Sequence, residues 1–173
     1  MGDVPDVTVF KQKTPKSPGS GEAGKIALIG AFKTETTTPT LFTGIDEAQA
    51  SFGDDDTFDG CAVLPYLFAN GAESILCGNV STKSGYTWTK TLDATALSTA
   101  LAKIKGEYWD LLFVAGPITD AFATLIDTYL ESCFTIKCPA GFVGALTGGT
   151  DAANITTAGN AGEQCYGLLT QQL

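Results

Sequence analysis

The sequence predicts an α/β fold, a mostly parallel sheet flanked by helices, with an extended N-terminal arm. Three observations carry that reading. Continuous apolar runs at residues 26–29 and 111–115 suit strands covered on both faces, as in a parallel sheet. Helical patterns separate such runs at the spacing of strand-helix-strand units. Residues 1–25 differ, holding Val4-Pro5, Thr14-Pro15 and Ser17-Pro18-Gly19-Ser20-Gly21 around one alternating run, Val7-Thr8-Val9-Phe10. That composition belongs to an arm ending in a flexible link. The expected division is an arm at 1–25 and a core domain at 26–173. The core should be truncated, because the last apolar run reaches Gln171-Gln172-Leu173 without a polar tail or capping element.

Taken in order, residues 26–29 before Gly30 form the first strand and Leu41-Phe42-Thr43 a second, short one. Residues 46–52 read as a helix stopped by Gly53. Residues 59–70 read as another, apolar at Cys61, Leu64, Leu67 and Phe68. Pro65 should kink that helix or start its second half, since it lacks an N–H and crowds the carbonyl four residues back. Asn70-Gly71 supplies its C-terminal cap, and residues 74–80 return as a strand. In 84–91, Tyr86 and Trp88 alternate with threonines, as in a short exposed strand or hairpin arm. Asp93 caps a helix with Leu97, Ala100, Leu101 and Ile104 at i, i+3, i+4 and i+7, ended by Gly106. Residues 111–115 are the strongest buried-strand signal. Thr119 caps a helix with Phe122, Leu125, Ile126, Tyr129 and Cys133 on one face, and residues 142–146 close a strand-helix-strand unit. A segment rich in Thr, Ala and Gly follows at 148–159, then a last apolar run at 165–169.

Composition excludes more than it suggests. The 173 residues are 44% hydrophobic, enough for one domain with a core, and carry 19 acidic against 10 basic side chains for a formal charge of −9. Every basic residue is a lysine, and there is no His or Arg. Lack of His removes Ser-His-Asp and Cys-His pairs and HExxH zinc sites. Lack of Arg removes bidentate phosphate clamps and arginine fingers. The expectation is a non-enzyme without cofactor or metal. Net negative charge repels phosphate backbones, so nucleic acid is not an expected partner. No run approaches about 18 apolar residues and no charged segment leads into an apolar one at the start, so neither a membrane span nor a signal peptide is expected. Cys61, Cys77, Cys133, Cys138 and Cys165 lie among apolar neighbours and read as reduced core thiols rather than disulfides.

Several motifs invite chemistry. Gly19-Ser20-Gly21-Glu22-Ala23-Gly24-Lys25 fits GxxxxGK, but Ile26 replaces the magnesium-binding hydroxyl, Pro-rich residues precede it and a strand follows. A flexible glycine link explains it better. Asp54-Asp55-Asp56 with Asp59 and Gly60 suggests calcium, yet an EF-hand counted from Asp54 would meet Asp59 and Pro65 where Gly and Glu belong. The simpler reading is a solvated acidic turn with Asp59 capping a helix. Cys133 and Cys138 have no zinc spacing, and Lys137 alone is thin support for an activated thiol. Gly144, Gly148 and Gly149 follow a late strand without GxGxxG spacing. Asp110, Asp120 and Asp151 near strand ends are the carboxylates available for an acid–base pair, with Asp120 better explained by a helix first turn.

The order of segments is the more informative feature. Ile29-Gly30-Ala31, then Pro39-Thr40-Leu41-Phe42-Thr43 and Asp46-Glu47-Ala48-Gln49-Ala50-Ser51-Phe52-Gly53, resembles the start of contractile phage tail sheath proteins. In that family a Pro-x-Leu-(Val/Ile)-Thr strand leads to a helix ending Phe-Gly. The helix at 59–68, Asn70-Gly71-Ala72 and the strand after it look like the family's aromatic helix, Asn-Gly-Gly turn and next strand. The 110–146 unit is similar to the sheath core's later strand-helix-strand, and Val4-Pro5-Asp6-Val7 to its N-terminal arm. The resemblance covers residues 4–146 in short motifs; this chain departs from it at Ala72 and Pro65 and lacks the family's C-terminal region. It implies a structural subunit stacking in rings around a tail tube and contracting to drive injection, assembled in the host cytoplasm and carried in the virion. Implied partners are copies of itself and the tube protein. Val7, Thr8, Val9 and Phe10 are the candidate subunit-contact strand. A small α/β enzyme or nucleotide-binding domain and a non-catalytic adaptor are the alternatives.

Overall fold

The computed structural model of the chain describes residues 25–134, 141–146 and 165–168. Its elements follow in the order β1 (Lys25–Gly30), β2 (Thr40–Phe42), α1 (Ile45–Phe52), α2 (Asp59–Ala69), β3 (Ser74–Asn79), β4 (Thr82–Ser84), β5 (Thr87–Thr89), α3 (Ala94–Ile104), β6 (Leu111–Ile118), α4 (Asp120–Phe134), β7 (Gly141–Leu146) and β8 (Cys165–Leu168). Six strands form one sheet in the order β2-β3-β1-β6-β7-β8, and β4 pairs with β5 apart from it. Every pairing in the large sheet is parallel except β2 with β3. The mostly parallel α/β sheet expected from the sequence is therefore present. Along the parallel strands alone the order is 2-1-3-4-5, a doubly wound sheet whose growth reverses between β1 and β6.

Helices cover both faces, and the strand register says which. Gly30 stands against Gly60 of α2, whereas Gly78 stands toward Ile104 of α3. Gly30 is level with Asn79, and neighbours along a strand point to opposite faces. Gly30 and Gly78 therefore look out from opposite sides. One face carries α2, over β1 and β6; the other carries α3, with α4 beside it. Double cover explains the unbroken apolar run in β1, where Ala27, Leu28 and Ile29 are wholly buried. Beyond the sheet, Phe52 at the end of α1 meets Phe32 and Phe42 edge to face, with centroids 5.0 and 5.1 Å away. Trp109, 2% exposed, stacks on Tyr129 of α4 at 6.3 Å.

Several expectations are corrected in detail. α2 runs through Pro65 as one helix, so the proline does not open a second half. Cys61 and Leu64 beside it are buried, and tertiary packing outweighs the one hydrogen bond that proline removes. β6 continues past Ala115 to Ile118, because Gly116 at φ +120 absorbs a register shift between Val114 and Pro117. A proline is tolerated at such a bulge. On α4 the fully buried side chains are Ala123, Ile126 and Leu130, with Cys133 and Tyr129 nearly so, while Phe122 and Leu125 are only partly buried. The buried stripe is thus rotated toward Ala123 and Leu130. Asp93 caps α3 as expected, its Oδ1 accepting the Ala96 N–H at 2.8 Å; the helix ends at Ile104 with Lys105 as C-cap, one residue before Gly106. The Tyr86–Trp88 region is a hairpin, with Gly85 at φ +60 opening its two-residue turn.

The α2 cap supplies a direct prediction. The Ala72 N–H donates to the Leu67 carbonyl and the Gly71 N–H to the Phe68 carbonyl, both at 3.1 Å, with Gly71 at φ +95. This pairing is a Schellman closure. A Cβ on Gly71 would meet nothing within 4 Å, so Gly71→Ala isolates the cost of the left-handed backbone. Urea denaturation should show a loss of about 1 kcal/mol. It also explains why Asn-Gly-Ala serves here, since the third residue contributes its N–H and needs no positive φ.

Candidate functional site

In doubly wound sheets, ligands bind outside the carboxyl ends of the strands where the strand order reverses. Here the ends of β1 and β6 mark that place, and the first turn of α2 fills it. The Gly60 N–H donates to the Ala31 carbonyl at 2.9 Å. A Cβ on Gly30 would lie 2.9 Å from the Gly60 Cα, and one on Gly116 would lie 3.2 Å from Asp59 Oδ2. Three glycines on three elements thus remove the side chains that would hold these backbones apart. Asp59, the first helical residue, puts a carboxylate where a phosphate would otherwise approach the helix dipole.

Phe58, 1% exposed, seals the crevice from the side. The β4–β5 hairpin holds it there. Trp88 meets the Phe58 ring edge-on at 5.5 Å, and the Lys90 ammonium lies 4.2 Å above that ring while donating to the Thr57 hydroxyl.

At the end of β3, level with Gly30, a polar box locks the same region. Asn79 is 8% exposed and Ser81 2%. Asn79 Oδ1 accepts the N–H of Phe32 at 3.1 Å and of Ser81 at 2.9 Å, and its Nδ2 donates to the carbonyls of Thr34 at 2.8 Å and Thr36 at 3.1 Å. The Ser81 hydroxyl donates to the Phe32 carbonyl. These bonds fasten the loop after β1 to the neighbouring strand and satisfy backbone groups that burial would otherwise orphan.

The acidic turn is partly neutralised from within. Asp55 accepts the Thr57 hydroxyl at 2.7 Å and N–H at 3.1 Å, and pairs with Lys33 at 3.1 Å. The Thr57 hydroxyl, ahead of the Lys33 ammonium and the Thr57 N–H, lowers its pKa from 3.8 to about 2. Because the folded value is depressed, Asp55 stabilises the fold fully above pH 3.8 and progressively less as pH falls toward 2. Asp55→Asn should flatten the thermal midpoint across that window relative to the parent, measured by circular dichroism melts at pH 4, 3 and 2. Asp59 is not the cap, since Phe58 holds that position; it lies in the first turn, where the dipole favours it. Among the described residues no three His, Cys, Asp or Glu side chains gather as a metal site.

The remaining candidates separate. Asp110 stands before β6 and Asp120 after it, so the 8-residue strand parts them by about 26 Å, too far for an acid–base pair. Asp110 instead ties the strand start, accepting the Lys25 N–H at 3.1 Å and the Tyr108 hydroxyl at 2.9 Å. Lys25 opens β1, so a strand does follow the glycine link. Gly144 lies inside β7, level with Val114 and Gly167, and not in a turn. Cys61, Cys77 and Cys133 are free, buried thiols, and burial raises the pKa of Cys61 and Cys77, which disfavours a nucleophilic thiolate. Val7, Thr8, Val9, Phe10, Cys138, Gly148, Gly149 and Asp151 lie outside the described residues. An open groove of about 370 Å³ runs between α3 and α4 past Leu101, Lys105, Leu125 and Tyr129; Lys105 meets no carboxylate in its lining, so it offers no acid–base pair. Sequence reasoning missed the Asn79–Ser81 box and the glycine contacts. A glycine inside a helix, Gly60, was the available signal, because it costs stability unless something needs the space.

Known proteins share this arrangement of backbone. A sheath tail protein from Listeria innocua superposes with a TM-score of 0.54 at 11% sequence identity, over 73% of this chain and 48% of that one. The fold is thus sheath-like, and the chain spans about half the length of that protein. No protein-family model and no curated protein matches the sequence.

Proposed function

We propose that the chain is the N-terminal and central portion of a contractile tail sheath subunit, which polymerises around a tail tube and contracts to drive injection. The observation that carries the reading is the backbone likeness to a sheath tail protein over 73% of the chain. The filled reversal point supports it: residues that in an enzyme of this architecture would surround a ligand are spent here on packing Gly30, Gly60 and Gly116 together. On this reading the protein is not an enzyme and binds no cofactor; its partners are further copies of itself and the tube protein, and it resides in the phage tail after assembly in the host cytoplasm. Residues 7–10 would add as a strand to a neighbouring subunit, keeping subunits joined while they slide. A heterologous contact repeated without closure gives the helical filament.

The test is assembly. Protein expressed from the whole reading frame should form tubes or rings under negative-stain microscopy, whereas the 173-residue chain alone should sediment as a monomer. A whole protein that stays monomeric at high concentration, or a nucleotide found tightly bound by native mass spectrometry, would overturn the proposal.

A further inference from the structure

α2 has two apolar sides. Gly60, Cys61 and Leu64 face the sheet and are buried. The outward stripe at i, i+3, i+4 and i+7, made of Ala62, Pro65, Tyr66 and Ala69, is also apolar, with Tyr66 71% exposed. After Asp59 the helix carries no charge at all. A helix with one side open to water normally carries charged or polar residues there, and one that is apolar all round is covered. The charges bordering this stripe are mostly acidic: every charged residue between Lys33 and Lys83 is a carboxylate, and the cations near the entry to α2 are Lys33 at Asp55 and Lys90 at Thr57. Asp54, Asp56 and Asp59 are exposed at the entry to α2 and Glu73 just past its exit. The lysines nearest in sequence are engaged, Lys33 with Asp55, Lys83 with Glu35 and Lys90 with Thr57.

From the apolar stripe and its net acidic rim, we infer that the outer side of α2 is a docking surface for a partner-protein segment with an apolar stripe flanked by lysine or arginine. Apolar contact supplies the burial, and opposite charge at both ends of α2 sets register and excludes acidic segments. The inference deepens the assembly reading, on which it relies for the partner's presence but not for the surface.

The test is a titration of the isotopically labelled 173-residue chain with a 14-residue amphipathic peptide of leucine and lysine, followed by amide chemical shifts at 150 mM salt. Shifts should centre on residues 59–73, and binding should be at least about tenfold tighter than for the same peptide with Glu for Lys or Ser for Leu. Tyr66→Asp should weaken it about tenfold although it adds negative charge, and the neutral Tyr66→Ser should do so as well, with circular dichroism confirming both folds. Asp54→Asn with Asp56→Asn should cost about fivefold, and Glu107→Gln with Glu131→Gln, the same charge change away from α2, less than about twofold. Shifts on α3 and α4 instead, or equal binding of the three peptides, would overturn the inference. Binding seen only after Lys11, Lys13 and Lys16 are changed to Glu would mean that this chain's own residues 7–16 take the face, which also overturns it. Tubes without peptide binding would remove this surface and leave the sheath reading standing; binding without tubes would do the reverse.

Discussion

Gly60→Ala should destabilise the protein by about 2–3 kcal/mol, although helix propensity alone favours alanine there by about 1 kcal/mol. The two effects have opposite sign, so the measurement decides between them. An added Cβ would stand 2.7 Å from the Ala31 carbonyl oxygen and 2.7 Å from two carbons of the Phe32 ring. Neither neighbour is free to yield. The carbonyl accepts the Gly60 N–H, and Phe32 is wholly buried against Phe52. α2 would have to lift from the sheet, loosening Cys61 and Leu64 with it. The urea midpoint should fall with little change in slope. A midpoint unchanged or raised would show that the first turn of α2 is not seated in the crevice between β1 and β6.

Asn79→Leu should cost about 3–4 kcal/mol, the sum of leaving the N–H groups of Phe32 and Ser81 and the carbonyls of Thr34 and Thr36 without their partner. Leucine has the branching and heavy-atom count of asparagine and is no smaller, so the substitution leaves no cavity. Hydrogen exchange should locate it, with the segment between β1 and β2 losing protection before α3 does. Asn79→Asp separates the two halves of the box. Its carboxylate can still accept from Phe32 and Ser81 but faces the two threonine carbonyls without a donor. That variant should therefore be least stable at neutral pH and recover part of the loss when acid protonates the new carboxyl. A variant as stable as the parent at pH 7 would mean that the loop is not fastened through this side chain.

What was legible in the sequence follows physical lines. Apolar runs at 26–29 and 111–115 are strands, mostly buried with Ile26, Leu111 and Phe113 partly so, because a doubly covered sheet leaves no polar face to alternate with, and the cap at Asp93 is a local interaction that needs no tertiary knowledge. Asn79 was not legible, since a polar residue at the end of an apolar run reads as the start of a loop; apart from Ser81, its partners Phe32, Thr34 and Thr36 lie 43 to 47 residues away in sequence. Gly116-Pro117 reads as the end of a strand, yet the bulge carries β6 three residues further. The α4 face came out rotated because large side chains dominate a periodicity count, whereas the element beneath decides which side is covered, and there a small residue, Ala123, fits closest. Carboxylates were the least legible. Asp110 and Asp120 are ten positions apart in sequence but belong to opposite ends of the sheet, which only the strand between them reveals.

The two tryptophans stand in different layers, and that gives the molecule a pair of optical reporters. Trp88 is held against Phe58 with the Lys83 ammonium 5.4 Å from its ring, so its emission follows the hairpin that seals α2 to the sheet. Trp109 is enclosed beside Tyr129, so its emission follows the layer of α3 and α4. Phenylalanine in place of either one leaves a single fluorophore, and comparing the two unfolding curves tells whether the layers part together or the hairpin side opens first. A change confined to the Trp88 signal would make the α2 layer a separately releasable unit, able to rearrange while the opposite layer stays packed.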